Sequence, residues 1–203
     1  MNNILKKLEN ITIILVLYEE SEEIIFENLE KIKNFKIIIL DNAGNKSLQK
    51  KIILKYTIEK YILSTKNTGF SKGYNTAISF CKTEFIFIKN ADCFINQENV
   101  LKLFNYIIFD KECMLVAPTS YDTEGNQTYC SGNLPEHTDK KNSIKVEGNI
   151  CVESVLGAAM FMRIKDFKEI NMFDTNLFNY FSDNDLCRKI IKKKKSIIQL
   201  SDS

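Results

Sequence analysis

The chain has 203 residues, of which 44% are hydrophobic and 27% charged, and its formal net charge is +2. That length supports one substantial α/β core or at most two small ones, and the composition is that of a folded globular domain. The near-neutral balance gives no global reason to invoke nucleic acid, and no apolar run approaches the ~20 residues that span a bilayer.

The opening stretch, "MNNILKKLENITIILVLYEE", places its apolar run after one acid and closes it with two more. It carries no small-residue cleavage site and reads as a first strand, not a secretory leader. Residues 11–18 form a continuous β-branched run, as expected of a strand covered on both faces. Ser21 then caps a helix with Glu22 and Glu23 in its first turn and Ile24, Ile25, Leu29 and Ile32 at helical spacing. "KIIIL" (36–40) is a second buried strand, ending in Asp41-Asn42-Ala43-Gly44-Asn45. A helix over about 46–56 and a third strand over 57–64 follow. Ser71 is a plausible cap for a helix reaching about Cys81. The fourth strand is "EFIFIK" (84–89), the next helix runs from Gln97 to Phe109, and "CMLVAP" (113–118) is a fifth strand.

Strands alternating with helices in this way indicate a mostly parallel sheet, and ligands of such sheets bind beyond the carboxyl ends of the strands. The unusual sequences sit at those ends: Tyr18-Glu19-Glu20, Asp41-Asn42, Asn67 to Asn75, and Asn90-Ala91-Asp92. The second half changes character. Residues 119–150 contain turn formers, Pro135 and the only histidine, and read as a long loop or irregular hairpin of the kind that often binds an acceptor or forms a lid. Residues 153–164 read as a strand pair or a strand bent at Gly157. A short helix, a terminal helix and the strand fragment "SIIQL" complete the chain. With no repeat and no linker, one domain over 1–203 is expected.

The six cysteines have no C-x-x-C pair and several lie inside apolar patterns, so they read as reduced, mostly buried thiols of a cytosolic protein. "RKIIKKKK" (188–195) reads either as a solvated helix end or as a contact for anionic headgroups.

The chemistry-bearing stretches each admit two readings. Asp41-Asn42 is a turn or a contact to a nucleobase or ribose. "NTGFSKGYN" (67–75) matches neither a P-loop nor a dinucleotide fingerprint, yet Gly69 and Gly73 allow close backbone approach and a helix start there favours a diphosphate. Asp92 is a strand-end turn residue or a ligand for Mg2+ or Mn2+, which commonly takes one or two carboxylates plus substrate phosphates. In "FNYFSDNDL" (178–186), Ser182 or Asp183 caps the terminal helix, or one carboxylate is a general base for an acceptor hydroxyl. His137, alone in an irregular segment, reads as a surface residue.

Taken in this order, these stretches resemble the family 2 inverting glycosyltransferases of the GT-A fold, in particular their rhamnosyltransferase-like bacterial members. "IIILDNAGN" looks like their strand followed by D-N-x-[SG]. "NTGFSKGYNTAI" is similar to N-x-G-F-x-x-G-x-N-x-[AG]-[IL], "FIFIKNADCFI" to the strand ending in N-P-D, and "VLGAAMFMRIKDFKEINMFDTNLFNYFSDNDLCRKI" to the block that closes in E-D-x-D-L-x-x-R. The resemblance spans about residues 11–200. It implies a GT-A fold with a nucleotide-binding half (1–118) and an acceptor and catalytic half (119–203).

The same resemblance implies that Asp41 contacts the base and that Asn67, Gly69, Gly73 and Asn75 border the nucleotide sugar. Gly157 and Ala158 would shape the sugar or acceptor pocket, Asp92 would hold Mg2+ or Mn2+ against the donor diphosphate, and Asp183 would be the catalytic base. The implied partners are a UDP- or dTDP-linked sugar and a glycan or lipid-linked acceptor, in cytoplasmic synthesis of a bacterial surface polysaccharide, with residues 188–195 able to touch the inner face of a membrane. The pattern is departed from at several points. Ala91 replaces a proline, Asn90 stands where a fuller D-x-D has an acid, Ser182 replaces a glutamate, and Asn171 and Thr175 replace Gly and Glu. Relatives of this kind typically continue past the equivalent of Ser203 to a strand and a histidine that can complete the metal shell, so against them a weakly active, a C-terminally truncated or a degenerate member are the expectations to weigh. The alternative reading is a glycosyltransferase-like protein that binds a nucleotide or partner without turnover. A nucleotidyltransferase is a further rival, but its glycine-and-lysine-rich N-terminal signature is missing.

Overall fold

The computed structural model describes residues 2–127, 132–137, 147–201 and 203. In chain order the strands are β1 (Ile11–Leu17), β2 (Lys36–Asp41), β3 (Lys60–Leu63), β4 (Phe85–Lys89), β5 (Cys113–Pro118), β6 (Ile150–Cys151), β7 (Ala159–Arg163) and β8 (Ser196–Leu200). The helices are α1 (Asn2–Glu9), α2 (Glu22–Ile32), α3 (Lys46–Lys55), α4 (Gly69–Ile78), α5 (Gln97–Phe109), α6 (Ile164–Glu169) and α7 (Ser182–Lys192).

All eight strands join one sheet in the order β3-β2-β1-β4-β7-β5-β8-β6. The first four run parallel, as their alternation with helices requires. β7 departs from the expected pattern: it lies antiparallel between β4 and β5, and β6 is antiparallel to β8, so the sheet is mixed. This inversion shapes the site, because the start of β7 is thereby placed beside the end of β4, with Lys89 opposite Ala159.

Successive residues of β1 feed two different cores. Ile13, Leu15 and Leu17 pack with α2, α3 and α5 through Ile25, Leu29, Ile52, Leu103 and Ile107. Ile14 faces the other way, toward Tyr74 and Ala77 of α4, Phe167 of α6 and Leu186 and Ile190 of α7. A strand apolar on both faces is what a sheet with helices on both sides demands.

Local chemistry sets the helix starts. Ser21, Asn45 and Asn96 each accept the backbone N–H three residues on, from Ile24, Leu48 and Asn99, satisfying a donor that the helix leaves free. Two expected caps are corrected. α4 opens at Gly69 behind Thr68, and Ser71 lies fully buried inside the helix with its Oγ 2.8 Å from Oγ of Ser182. α7 is preceded by Phe181 in the left-handed region (φ 65°), with neither Ser182 nor Asp183 at the cap. The third strand is shorter than expected, the strand read over 153–164 begins only at Ala159, and α1 precedes the first strand, where no helix was expected. Within 119–150 the described parts include a bridge between Tyr121 and Gln127, a 3-10 turn at Pro135–His137, and β6 at its end. Residues 128–131 and 138–146, which hold Cys130 and part of the expected loop, lie outside the described residues.

Candidate active site

The antiparallel pairing of β7 with β4 continues one residue past the strands. The N–H of Asn90 donates to the carbonyl of Ala158 at 3.0 Å, so the turn bearing Asp92 is fastened to the segment that enters β7. One residue earlier, the N–H of Gly157 donates to Oδ2 of Asp183 at 2.9 Å. Gly157 and Ala158 therefore tie Asp183, in the first turn of α7, to the end of β4. A side chain at 157 would be tightly packed. A Cβ there would stand 3.0 Å from Cζ of Phe70 and 3.4 Å from Oδ2 of Asp183. Asp183 is half-buried, and its Oδ1 accepts the N–H of Asn184 at 2.9 Å. Each oxygen keeps acceptor capacity toward solvent.

A second set of contacts links the end of β2 to the loop before α7 through the start of α4. Asn42, nearly fully buried, accepts both the N–H and the Oγ1–H of Thr68, at 3.0 and 2.9 Å, and its amide faces the Gly69 carbonyl at 3.3 Å. Asn67 accepts the N–H of Gly69 at 2.8 Å. Gly69 has φ +73°, and a Cβ on it would fall 2.2 Å from the Phe178 carbonyl, which itself accepts the N–H of Phe70 at 2.7 Å. The 174–181 loop thus rests on a glycine, leaving Phe178, Tyr180 and Phe181 exposed beside Asp183.

Three of the residues expected to border a nucleotide sugar are held by the protein itself. Oδ1 of Asp41 accepts the N–H groups of Ala43 and Gly44 at 2.9 and 3.0 Å, and Oδ2 accepts Asn45 N–H and the Tyr61 hydroxyl, both at 3.0 Å. This carboxylate organises the turn after β2. Burial, with the Asp41 charge adding, pushes the Tyr61 phenol well above its ordinary value. Gly73 faces the sheet, where a Cβ would meet Val16 at 3.0 Å, so its role is the close approach of α4 to β1. Asn75 exchanges hydrogen bonds with the backbone of Phe173, at 2.9 and 3.2 Å, anchoring the segment after α6.

Asp92 is the opposite case. It is exposed, and its carboxylate accepts no hydrogen bond from any described residue. No group of three or more His, Cys, Asp or Glu side chains among the described residues could hold a metal alone. One free carboxylate at a strand end nevertheless fits Mg2+ or Mn2+ of the kind that takes its remaining ligands from phosphates and water.

Reading along the sequence missed what lies beneath Asp92. Lys89 is fully buried at the end of β4, and its ammonium donates to Oδ1 of Asn28 of α2 at 2.5 Å. Burial pushes this lysine down to about 8. Tyr74 is buried too, donating its hydroxyl to the Lys89 carbonyl at 2.9 Å. A lysine in an apolar strand was the available signal.

The basic run at 188–195 is largely neutralised. Arg188, Lys189, Lys193 and Lys195 pair with Glu136, Asp185, Glu169 and Glu112. Arg188 and the His137–Glu153 contact at 2.7 Å fasten the 132–137 segment against α7 and the residues before β7. The cysteines at 81, 93, 113, 151 and 187 are all free.

Residues 12–171 match the model of the family described as glycosyl transferase family 2, well over half of the chain. The chain belongs to that family. The matched range holds the Asp92 turn and Gly157–Ala158 and ends before Asp183. No curated protein is detectably similar in sequence. Among solved structures, the family 2 chain resembles GalNAc-T7 with UDP, GalNAc and Mn2+ at TM-score 0.74 and 12% identity, covering 95% of this chain and 42% of that one. It also resembles the mannosyltransferase PcManGT from Pyrobaculum calidifontis in complex with GDP-Man and Mn2+ (TM-score 0.66, 15% identity, 95% and 55% covered). A third likeness is to S. aureus TarS 1-349 in complex with UDP (TM-score 0.67, 19% identity, 96% and 58% covered). At these identities the likeness establishes the GT-A fold, and the chain spans about half the length of those structures.

Proposed function

We propose that this family 2 domain transfers a sugar from a nucleoside-diphosphate donor to an acceptor hydroxyl with inversion. The observation that carries the reading is the pair of contacts at Gly157–Ala158, which fix a half-buried carboxylate and the turn of a free carboxylate to one dipeptide at the ligand-binding edge of the sheet.

In this reading Asp183 is the base. The first turn of a packed helix and the Gly157 N–H hold its carboxylate in one orientation, which proton transfer requires. Asp183 removes the proton of the acceptor hydroxyl as that oxygen attacks the anomeric carbon. The bond to the diphosphate breaks on the opposite face, so configuration inverts, and the electron pair leaves with the nucleoside diphosphate. A divalent cation on Asp92 and the donor phosphates would neutralise charge on the departing diphosphate. The turn shaped by Asp41 and the α4 start braced by Asn42, Asn67 and Gly69 form the floor for the nucleotide.

A UDP- or dTDP-linked donor, a glycan or lipid-linked acceptor, and cytoplasmic synthesis of a bacterial surface polysaccharide complete the proposal, and the free cysteines agree with a reducing compartment. Membrane contact through 188–195 draws no support from cations already paired with acids. The test is sugar release and transfer from UDP-, dTDP- and GDP-linked donors, with and without Mn2+. Nucleotide binding without transfer to any acceptor would instead favour a non-catalytic binding protein.

A further inference from the structure

We infer that Lys89 and Asn28 are a positioning pair that sets the conformation of the Asp92 turn, and with it the metal-dependent part of nucleotide binding. The inference rests on the function proposed above and extends it to residues in the core.

The pair is arranged as a relay. Asn28 is 1% exposed, and all its hydrogen-bonding groups point at β4 or the turn after it. Its Oδ1 accepts from the Lys89 ammonium at 2.5 Å, and its Nδ2 donates to the carbonyls of Ala91 and Cys93 at 2.6 and 2.9 Å. Only one amide orientation satisfies this set, since an ammonium can only donate and a carbonyl can only accept. Lys89 thus dictates which end of Asn28 meets the turn. It does so from a site where, among the described residues, no carboxylate lies within ion-pair distance of it.

The other side of the turn is fastened as well. Asn90 donates to the Ala158 carbonyl at 3.0 Å, Cys93 donates to the Asn90 carbonyl at 3.3 Å, and the Tyr74 hydroxyl holds the Lys89 carbonyl. Every residue from 89 to 93 is therefore held by its backbone except Asp92, whose side chain faces solvent. A site with one carboxylate gains most from a fixed frame, because a diphosphate-bound ion has a single protein ligand to find. A buried ammonium with one neutral partner is costly to keep. Orienting Asn28 accounts for its presence.

The test compares wild type with Asn28→Asp and Lys89→Met. Asn28→Asp leaves Lys89 an acceptor, now charged, but removes both donated bonds to the turn. Calorimetry with UDP, dTDP and GDP, each with and without Mn2+, separates metal-dependent from metal-free affinity. Amide hydrogen exchange at Asn90 and Cys93 reports the turn directly. Both variants are expected to speed that exchange and to cut the affinity gained from Mn2+ by about 10-fold or more, the scale on which groups supporting a metal ligand act. Metal-free affinity should stay as in wild type. An unchanged Mn2+ increment in Asn28→Asp, or an equal loss in metal-free affinity, would overturn the inference. Should Lys89→Met not fold, Asn28→Asp carries the test alone. If wild type binds none of the three nucleotides, it is the proposed function that fails, and exchange at Asn90 and Cys93 in Asn28→Asp then decides whether the pair sets the turn.

Discussion

Gly157 donates its backbone N–H to Oδ2 of Asp183 at 2.9 Å, across 26 residues of sequence. The contact exists because β7 runs antiparallel to β4 and brings its first residues to the carboxyl end of the parallel strands, where α7 begins. Space at 157 is tight, with Phe70 and Asp183 both against the position of its absent Cβ.

Gly157→Ala is therefore expected to push Asp183 out of place without unfolding the domain. The contacts require shifts of a few tenths of an ångström, so the expected loss is a fraction of the roughly 100-fold in rate that a displacement of about 1 Å costs a reacting group. Transfer kinetics should show that loss in kcat, with nucleotide affinity close to wild type.

Asp183→Asn keeps an acceptor for the Gly157 N–H and removes the proposed base. The expected loss is about 10²- to 10⁴-fold in kcat, the usual contribution of general-base catalysis. Calorimetry should find nucleotide binding unchanged. Full transfer activity in this variant would remove Asp183 from the mechanism.

Gly69→Ala tests the platform under the 174–181 loop. A left-handed conformation costs a non-glycine residue about 1–2 kcal/mol before any clash, and a domain of this size loses roughly 2–4 °C per kcal/mol. The overlap with the Phe178 carbonyl adds to this, so a thermal melt should show a fall of more than a few degrees.

The His137–Glu153 contact makes the docking of residues 132–137 depend on pH. The hydrogen bond to Glu153 is the main cause raising His137 above 6.5, and the same bond is the main cause holding Glu153 below 4.5. A raised histidine contributes fully below its unfolded value and loses that contribution as pH rises through its folded value. A depressed glutamate contributes above its unfolded value and loses it as pH falls through its folded value. The contact is strongest between about pH 4.5 and 6.5. Both side chains are exposed, so the effect on global stability is small. The ring protons of the only histidine should titrate above the free-imidazole value by NMR, and Glu153→Gln should return them to it.

The parallel half of the fold was legible because "ITIILVLY", "KIIIL" and "EFIFIK" each carry a near-continuous apolar run, the pattern expected of a doubly covered strand. The reversal of β7 was not, since "AAMFMR" is equally compatible with either direction and its partner lies more than 70 residues upstream. Ser71 looked like a cap because serine favours helix starts. Asn42 instead holds Thr68, and the cap lies three residues earlier, leaving Ser71 to face Ser182. The same buried pairing shows that Ser182, which stands where the resembling family carries a glutamate, points into the core, away from the free lone pairs of Asp183. Gly73 and Asn75 belong to a specific motif, and a motif does not show which of its residues face a ligand and which hold helix to sheet. The basic run read as a free charge cluster because its acidic partners, Glu112, Glu136 and Glu169, are distant in sequence. Lys89 left one local signal, a lysine in an apolar strand, and that signal alone does not distinguish a buried lysine from a strand-end lysine reaching solvent.

The most direct measurement is calorimetric titration of the protein with UDP, dTDP and GDP, each with and without Mn2+, repeated on Asp92→Ala. The expected result is binding of one nucleotide that Mn2+ strengthens and that Asp92→Ala returns to its metal-free level. Absence of binding to all three, or an Mn2+ effect that survives Asp92→Ala, would contradict the assignment of this strand end as the metal-diphosphate site.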